Sequence, residues 1–183
     1  MALESTPTWL IGPEVPPSAR LGTVLSGTYR LDAFLGQGMT GVSYNAWHLR
    51  IKAPYAVKLL HRELHPTHEQ VIRLRQDLRL LQGIAQSGRS ADPAHPGAVH
   101  GPGFLPVELS FAPDGAPFLA AELCVGETLR ERLSRGPMPS LAAGMTVAAL
   151  ARALAAAHRA GVVHGDLRPE NVMLPTQPGQ SVV

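Results

Sequence analysis

Three short stretches of this sequence carry residue types that could do chemistry together. The first is Gly36-Gln37-Gly38-Met39-Thr40-Gly41. Glycines in that spacing let a tight hairpin bring backbone N–H groups against phosphate oxygens, with no Cβ in the way. A dinucleotide-binding reading of the same spacing needs a helix directly afterwards. Val42-Ser43-Tyr44-Asn45 is strand-like instead, so that reading drops out. The second stretch is Ala56-Val57-Lys58, a lysine inside an apolar run. A buried ammonium must have a partner. The plainer alternative is an edge-strand lysine whose amine reaches solvent. The third is His164-Gly165-Asp166-Leu167-Arg168-Pro169-Glu170-Asn171, which gathers an acid, a base and an amide in one loop.

The elements that must position these residues are legible in outline. Tyr29–Leu35, Val42–Trp47 and Tyr55–Leu60 read as three antiparallel strands. Thr67, with Gln70 three residues on, forms a capping-box pattern. Val71, Leu74, Leu78 and Leu81 then share one helical face, and Gly83 is expected to stop the helix. Leu105–Phe111 and Ala116–Leu123 form a hairpin around Pro113-Asp114-Gly115. After Gly126 the texture turns helical. Thr128–Arg135 is a short helix, and Ser140 caps a longer one that Gly161 ends. Leu141, Met145, Ala148, Leu150 and Leu154 are expected to face inward. The result is a small β-rich lobe holding one helix, a linker near Glu122–Gly126, and the beginning of a helical lobe.

Composition narrows the class. With 183 residues, 45% hydrophobic and a formal charge of +2, the chain is globular and long enough for two small lobes. Eighteen glycines and 17 prolines predict plentiful loops. One cysteine, Cys124, excludes an internal disulfide, and a cytoplasmic setting is expected. Arg73, Arg75 and Arg79 are spaced as a solvated helix face, so no nucleic-acid partner is expected. The longest apolar candidate, Thr146–Val163, is broken by Arg152, His158 and Arg159, so no membrane span is expected. Residues 1–8 lack a basic stretch and read as no signal peptide. The eight histidines do not fall at metal-ligand spacing with cysteine, and His61, His65 and His68 read as solvent-facing at a helix entry.

The glycine turn, the Ala-Val-Lys strand and the His-Gly-Asp-Leu-Arg-Pro-Glu-Asn loop, in that order, resemble the protein kinase family, specifically bacterial Ser/Thr kinases of eukaryotic type. The resemblance covers residues from about 28 to 183. It implies an α+β, protein-kinase-like fold: a complete N-lobe of five antiparallel strands plus one helix, and a partial helical C-lobe. Residues 1–25 would be a Pro-rich arm, 26–123 the N-lobe, and 124–183 the hinge and first part of the C-lobe. The activity implied is phosphoryl transfer from ATP, with Mg2+, to a serine or threonine of a protein. Backbone amides of Gly36, Gln37, Gly38, Met39, Thr40 and Gly41 would cover the triphosphate. Lys58 would hold the α- and β-phosphates. Asp166 would orient the acceptor hydroxyl and take its proton, Arg168 would stand near the transferred group, and Asn171 would hold magnesium. Glu122 and Cys124 would meet the adenine edge through their backbone, with Leu35 and Ala56 as walls and Ala121 as a small gatekeeper.

The departures from the family pattern are specific. Asp77 stands where a glutamate is expected to pair with the lysine. Ser43 stands where a valine would cover adenine, and Gly165 where an arginine would clamp a phosphorylated loop. Asp-Phe-Gly occurs nowhere in the 183 residues, although Val172-Met173-Leu174 and Ser181-Val182-Val183 look like the strands before it. Its aspartate would carry a magnesium ion, so phosphate transfer by this chain is expected to be very slow or absent. The Leu150/Leu154 face of the long helix is expected to be partly wet, a surface for a partner chain. Two other readings stay open. His-Gly-Asp also resembles small-molecule phosphotransferases of kinase-like fold, and a pseudokinase-type module would bind nucleotide or a partner without catalysis.

Overall fold

The computed structural model describes residues 16–61, 64, 66–87, 103–113 and 115–176. Eight strands and three α-helices are described: β1 Val24–Leu25, β2 Tyr29–Gly38, β3 Gly41–His48, β4 Ala53–Leu60, α1 His68–Ser87, β5 Val107–Phe111, β6 Pro117–Glu122, β7 Gly126–Thr128, α2 Leu129–Ser134, α3 Ser140–Arg159 and β8 Met173–Pro175. The chain divides into two compact units, Met1–Arg75 with Val107–Leu123, and Gln76–Pro106 with Cys124–Val183.

The first unit is built on an antiparallel sheet of order β1-β2-β3-β4-β6-β5. It has six strands rather than the expected five. The extra one, β1, forms because Ser26 and Gly27 both take positive φ (50° and 63°) and turn the chain back onto β2. Residues 17–25, expected in the N-terminal arm, are therefore seated on the sheet: Gly22 and Thr23 bond to Leu31, and Tyr44 donates to the Pro17 carbonyl. Trp9, Leu10 and Ile11 lie outside the described residues. Alternation sorts the two faces. Val42, Tyr44, Ala46, Val57, Leu59, Phe118 and Ala120 are buried in one cluster, and the intervening residues of β3, β4 and β6 are half-buried or exposed.

The β5–β6 hairpin forms as expected. Ala112 and Ala116 close it, and Gly115 takes φ 84°.

Helix α1 begins as its sequence predicts. The Thr67 N–H donates to Gln70 Oε1 at 2.8 Å, and the Gln70 N–H donates to Thr67 Oγ1 at 3.3 Å. It runs past Gly83, however. An interior glycine costs only about 1 kcal/mol, and Leu81 and Ile84 pack against the cluster of Phe104, Ala153, Ala157 and Val162. Arg73, Arg75 and Arg79 are exposed as expected, and Arg75 sits 5.4 Å from the Phe111 ring centroid.

In the second unit, Thr128 caps α2 with a capping box to Glu131. Pro139, not Ser140, is the N-cap of α3, and it supplies no side-chain bond. The other end of α3 is a Schellman motif: Val162 bonds to Ala157, Gly161 to His158, and Gly161 has φ 77°. The expected inward face of α3 is corrected. Leu141, Met145 and Ala148 are exposed, Leu150 and Leu154 half-buried, and Ala153 and Ala157 fully buried. Among the described residues, Phe104 and Val162 are buried with that alanine stripe.

By length and composition alone α3 would suffice to cross a membrane. Arg152 interrupts its apolar residues. A charged residue near mid-span costs about 2.5–3.5 kcal/mol.

Candidate functional site

In the first unit, register places the expected residues. Gly36 pairs with Ser43, Ser43 with Lys58, and Lys58 with Leu119, so these four form one row across β2, β3, β4 and β6. Ala56 pairs with Asn45 on one side and Ala121 on the other. Lys58 and Ala56, two residues apart, share the face opposite the buried cluster. Because β4 is flanked by β3 and β6, the edge-strand reading of Lys58 is removed. Lys58 is half-buried, and Leu35, at a bulge in β2, is 52% exposed.

The glycine segment is the β2–β3 hairpin, with Gly38 opposite Gly41 and Met39-Thr40 at its tip. Its glycines are not equivalent. A Cβ on Gly41 would run into the Leu59 carbonyl, whereas one on Gly36 or Gly38 would meet nothing within 4 Å. Gly41 answers to the packing of its own chain. Gly36 and Gly38 leave open space in front of the backbone.

Glu122, at the end of β6, is exposed, and its register partner is Tyr55. His61 departs from its expected solvent-facing role, since its Nε2 lies 2.9 Å from the Gly38 carbonyl and its N–H bonds to Thr40. His68 is exposed as expected, and His65 lies outside the described residues.

In the second unit, Val162 anchors the start of the 164–171 loop and Val172 its end, both buried. Gly165 takes φ 74°, a left-handed geometry that a side chain resists. The Asp166 N–H donates to His164 Nδ1 at 3.3 Å. His164 thus ties the start of the loop to Asp166 by a hydrogen bond. Asn171 Nδ2 donates to the Asp166 carbonyl at 2.7 Å and to Asp166 Oδ2 at 2.9 Å. Arg168 Nε stands 3.3 Å from Asp166 Oδ1. That contact is ionic rather than an aligned hydrogen bond, since Nε is buried with no aligned acceptor. Asp166, Arg168 and Asn171 are therefore one constellation.

Behind it, the Leu129 N–H donates to the Val172 carbonyl. Arg130 pairs with Glu170 at 2.8 Å and holds the Glu170 carboxyl below the usual carboxylate range. No local sequence pattern marks this tether, because it joins residues 40 apart.

Asp77 is half-buried on the Leu74/Leu78 side of α1. Cys124 is half-buried just before β7, and burial pushes its thiol up. The strand Met173–Pro175 pairs with β7, where Gly126 lies hard against the Leu174 carbonyl. Residues 181–183 lie outside the described residues.

Residues 29–181 match the protein kinase domain family. The chain belongs to the protein kinase family. Among its relatives, the serine/threonine-protein kinase pkn2 of Myxococcus xanthus is 33% identical over 151 residues, covering 82% of this chain and 16% of that protein. PknA of Mycobacterium tuberculosis is 34% identical over 167 residues, covering 89% of this chain and 36% of that protein. The crystal structure of the Mycobacterium tuberculosis PknI kinase domain superposes with a TM-score of 0.68 at 22% identity. It spans 88% of this chain and 60% of that domain, and it establishes the kinase-like fold. This kinase-family chain thus spans about a third or less of the length of those two curated relatives.

Proposed function

We propose that these residues are the nucleotide-holding part of an ATP-dependent serine/threonine protein kinase domain, whose reaction moves a phosphoryl group from ATP to a protein hydroxyl. The observation that carries the reading is the Asp166 carboxylate, held through one oxygen by Asn171 and approached at the other by Arg168. Phosphoryl transfer is mostly positioning plus charge neutralisation. An acid held at both oxygens suits the task of orienting an alcohol and accepting its proton at a defined place. Arg168 would also offset charge on the transferred group. Its fork geometry differs from a lysine's compact point charge.

On this reading Lys58 would hold the α- and β-phosphates. The hairpin amides of 36–41 would cover the phosphates. The backbone of Glu122 and Cys124 would meet the adenine edge between Leu35 and Ala56.

The residues present suit a magnesium nucleotide. Gly36 and Gly38 leave the hairpin backbone open to a ligand. With Nδ2 of Asn171 committed to Asp166, its Oδ1 is the kind of oxygen donor that Mg2+ takes. Bound magnesium would neutralise the charge of the phosphates. On the family pattern Asn171 would be this chain's magnesium ligand; among the described residues no group of three or more His, Cys, Asp or Glu side chains gathers. We expect this chain to hold ATP and to transfer phosphate very slowly or not at all. A cytoplasmic location is part of the proposal.

Calorimetric titration of ATP with and without Mg2+ tests it. We expect saturable, magnesium-dependent binding, weakened by Lys58→Met about 10- to 100-fold, the scale of a lost charge-assisted hydrogen bond. No binding at millimolar ATP would sink the reading and favour a pure interaction module. Label passing from ATP to an aminoglycoside rather than to a basic protein would instead favour a small-molecule phosphotransferase.

A further inference from the structure

We infer that His61 is a positioning residue that latches the glycine hairpin over the nucleotide phosphates. The inference rests on the nucleotide reading above and adds a residue that no kinase motif in this chain contains.

His61 is the first residue after β4, and it takes up two carbonyls at the hairpin tip. Its backbone N–H donates to Thr40 at 3.2 Å. Its ring Nε2 stands 2.9 Å from the Gly38 carbonyl. A carbonyl oxygen can only accept, so the ring must donate an Nε2–H. Both the neutral Nε2–H tautomer and the imidazolium can do this.

The hairpin is anchored unevenly without the ring. On the β3 side Gly41 is packed against Leu59, so that strand has little freedom to move. On the β2 side Gly36 and Gly38 have open space around them, and glycine adds the widest backbone freedom of any residue. The imidazole bonds this looser side.

A hairpin that covers phosphate must present N–H groups and keep its carbonyl oxygens from facing the anion. Committing the Gly38 and Thr40 carbonyls to His61 meets that requirement. It also reduces the disorder that a ligand must remove on binding. The latch therefore acts on affinity for phosphate and leaves the adenine end untouched.

The test uses the whole chain with ATP, ADP and adenosine as probes. His61→Ala removes the ring donor, and His61→Gln restores an N–H of similar reach. We expect His61→Ala to weaken ATP and ADP about two- to tenfold, the range for one net hydrogen bond. Adenosine affinity should stay unchanged, and His61→Gln should recover most of the loss. Hydrogen exchange of the 36–41 amides should quicken in the alanine variant alone, with or without nucleotide.

Unchanged exchange, or an equal loss for adenosine and ATP, would overturn the latch. A wild-type chain that binds none of the three probes would overturn the nucleotide reading and the phosphate role with it. In that case exchange still decides whether His61 holds the hairpin.

Discussion

The two units bury themselves by different means. In the first, Tyr44, Phe118, Leu25, Leu31 and Val57 are each less than 2% exposed and pack as one cluster beneath the sheet. In the second, the residues sealed around α3 are Phe104, Ala153, Ala157 and Val162, while Leu141, Met145 and Val147 are 78%, 66% and 64% exposed. One unit is held by buried area. Among its described residues the other buries mostly small side chains around Phe104 and adds helix caps, a Schellman turn and surface ion pairs, each contributing far less than a buried aromatic. The candidate chemistry follows the same division. Lys58 and the glycine hairpin are set by strand register, whereas Asp166 and Asn171 are set by polar bonds within a loop.

The sharpest way to break this comparison is Phe118→Ala. It should cost about 3–5 kcal/mol and unfold the first unit in a urea titration. A loss below 1 kcal/mol would mean that the sheet cluster is not the main support.

Next in size is a pair of glycine variants. Gly41→Ala forces a methyl against the Leu59 carbonyl and should destabilise by about 1–3 kcal/mol, as overpacking does. Gly36→Ala should leave the melting temperature unchanged while weakening ATP. Equal thermal losses would show that the two glycines do not differ as described.

In the second unit, Thr128→Ala removes the α2 capping box and should cost about 0.5–2 kcal/mol. Circular dichroism during thermal melting would read it.

The smallest effect is pH, and the two units should respond at opposite ends. The carboxyls of Glu127, Glu131 and Glu170 are held low by Arg135, by the Thr128 N–H and by Arg130, respectively. Their folded pKa values lie below the unfolded ones, so this support is present above about pH 4.3 and fades as pH falls through the lowered values. Salt should shrink it, since Glu131 and Glu170 are exposed and Glu127 is only half-buried. In the first unit, burial first and Glu108 second push the Tyr29 phenol up. That contribution is present below about pH 10 and lost as pH rises further. Near-ultraviolet difference spectra would report Tyr29, and amide exchange of residues 126–134 would report the carboxylates. Acid loosening of the sheet before the 126–134 segment would reverse the assignment.

Much of the local structure was legible in the sequence. The Thr67/Gln70 box, the Gly161 stop, the Gly115 turn and the three central strands all appear where side-chain chemistry called for them. Each is decided within about four residues, because capping bonds and turn dihedrals are short-range. The order of glycines, lysine and His-Gly-Asp loop also sufficed to point to the kinase family.

Tertiary structure alone decided the rest. Periodicity shows that α3 has an apolar side, but only its neighbours reveal that Ala153 and Ala157 are covered while Leu141 and Met145 are not. The position of β4 between two strands, and not any feature of Ala-Val-Lys, makes Lys58 an interior-strand residue. Likewise, neither His61 against Gly38 nor Arg130 against Glu170 has a local signature. These pairings join residues 23 and 40 positions apart. Partners that distant are selected by how whole elements pack, a cooperative outcome that no short window of residues contains.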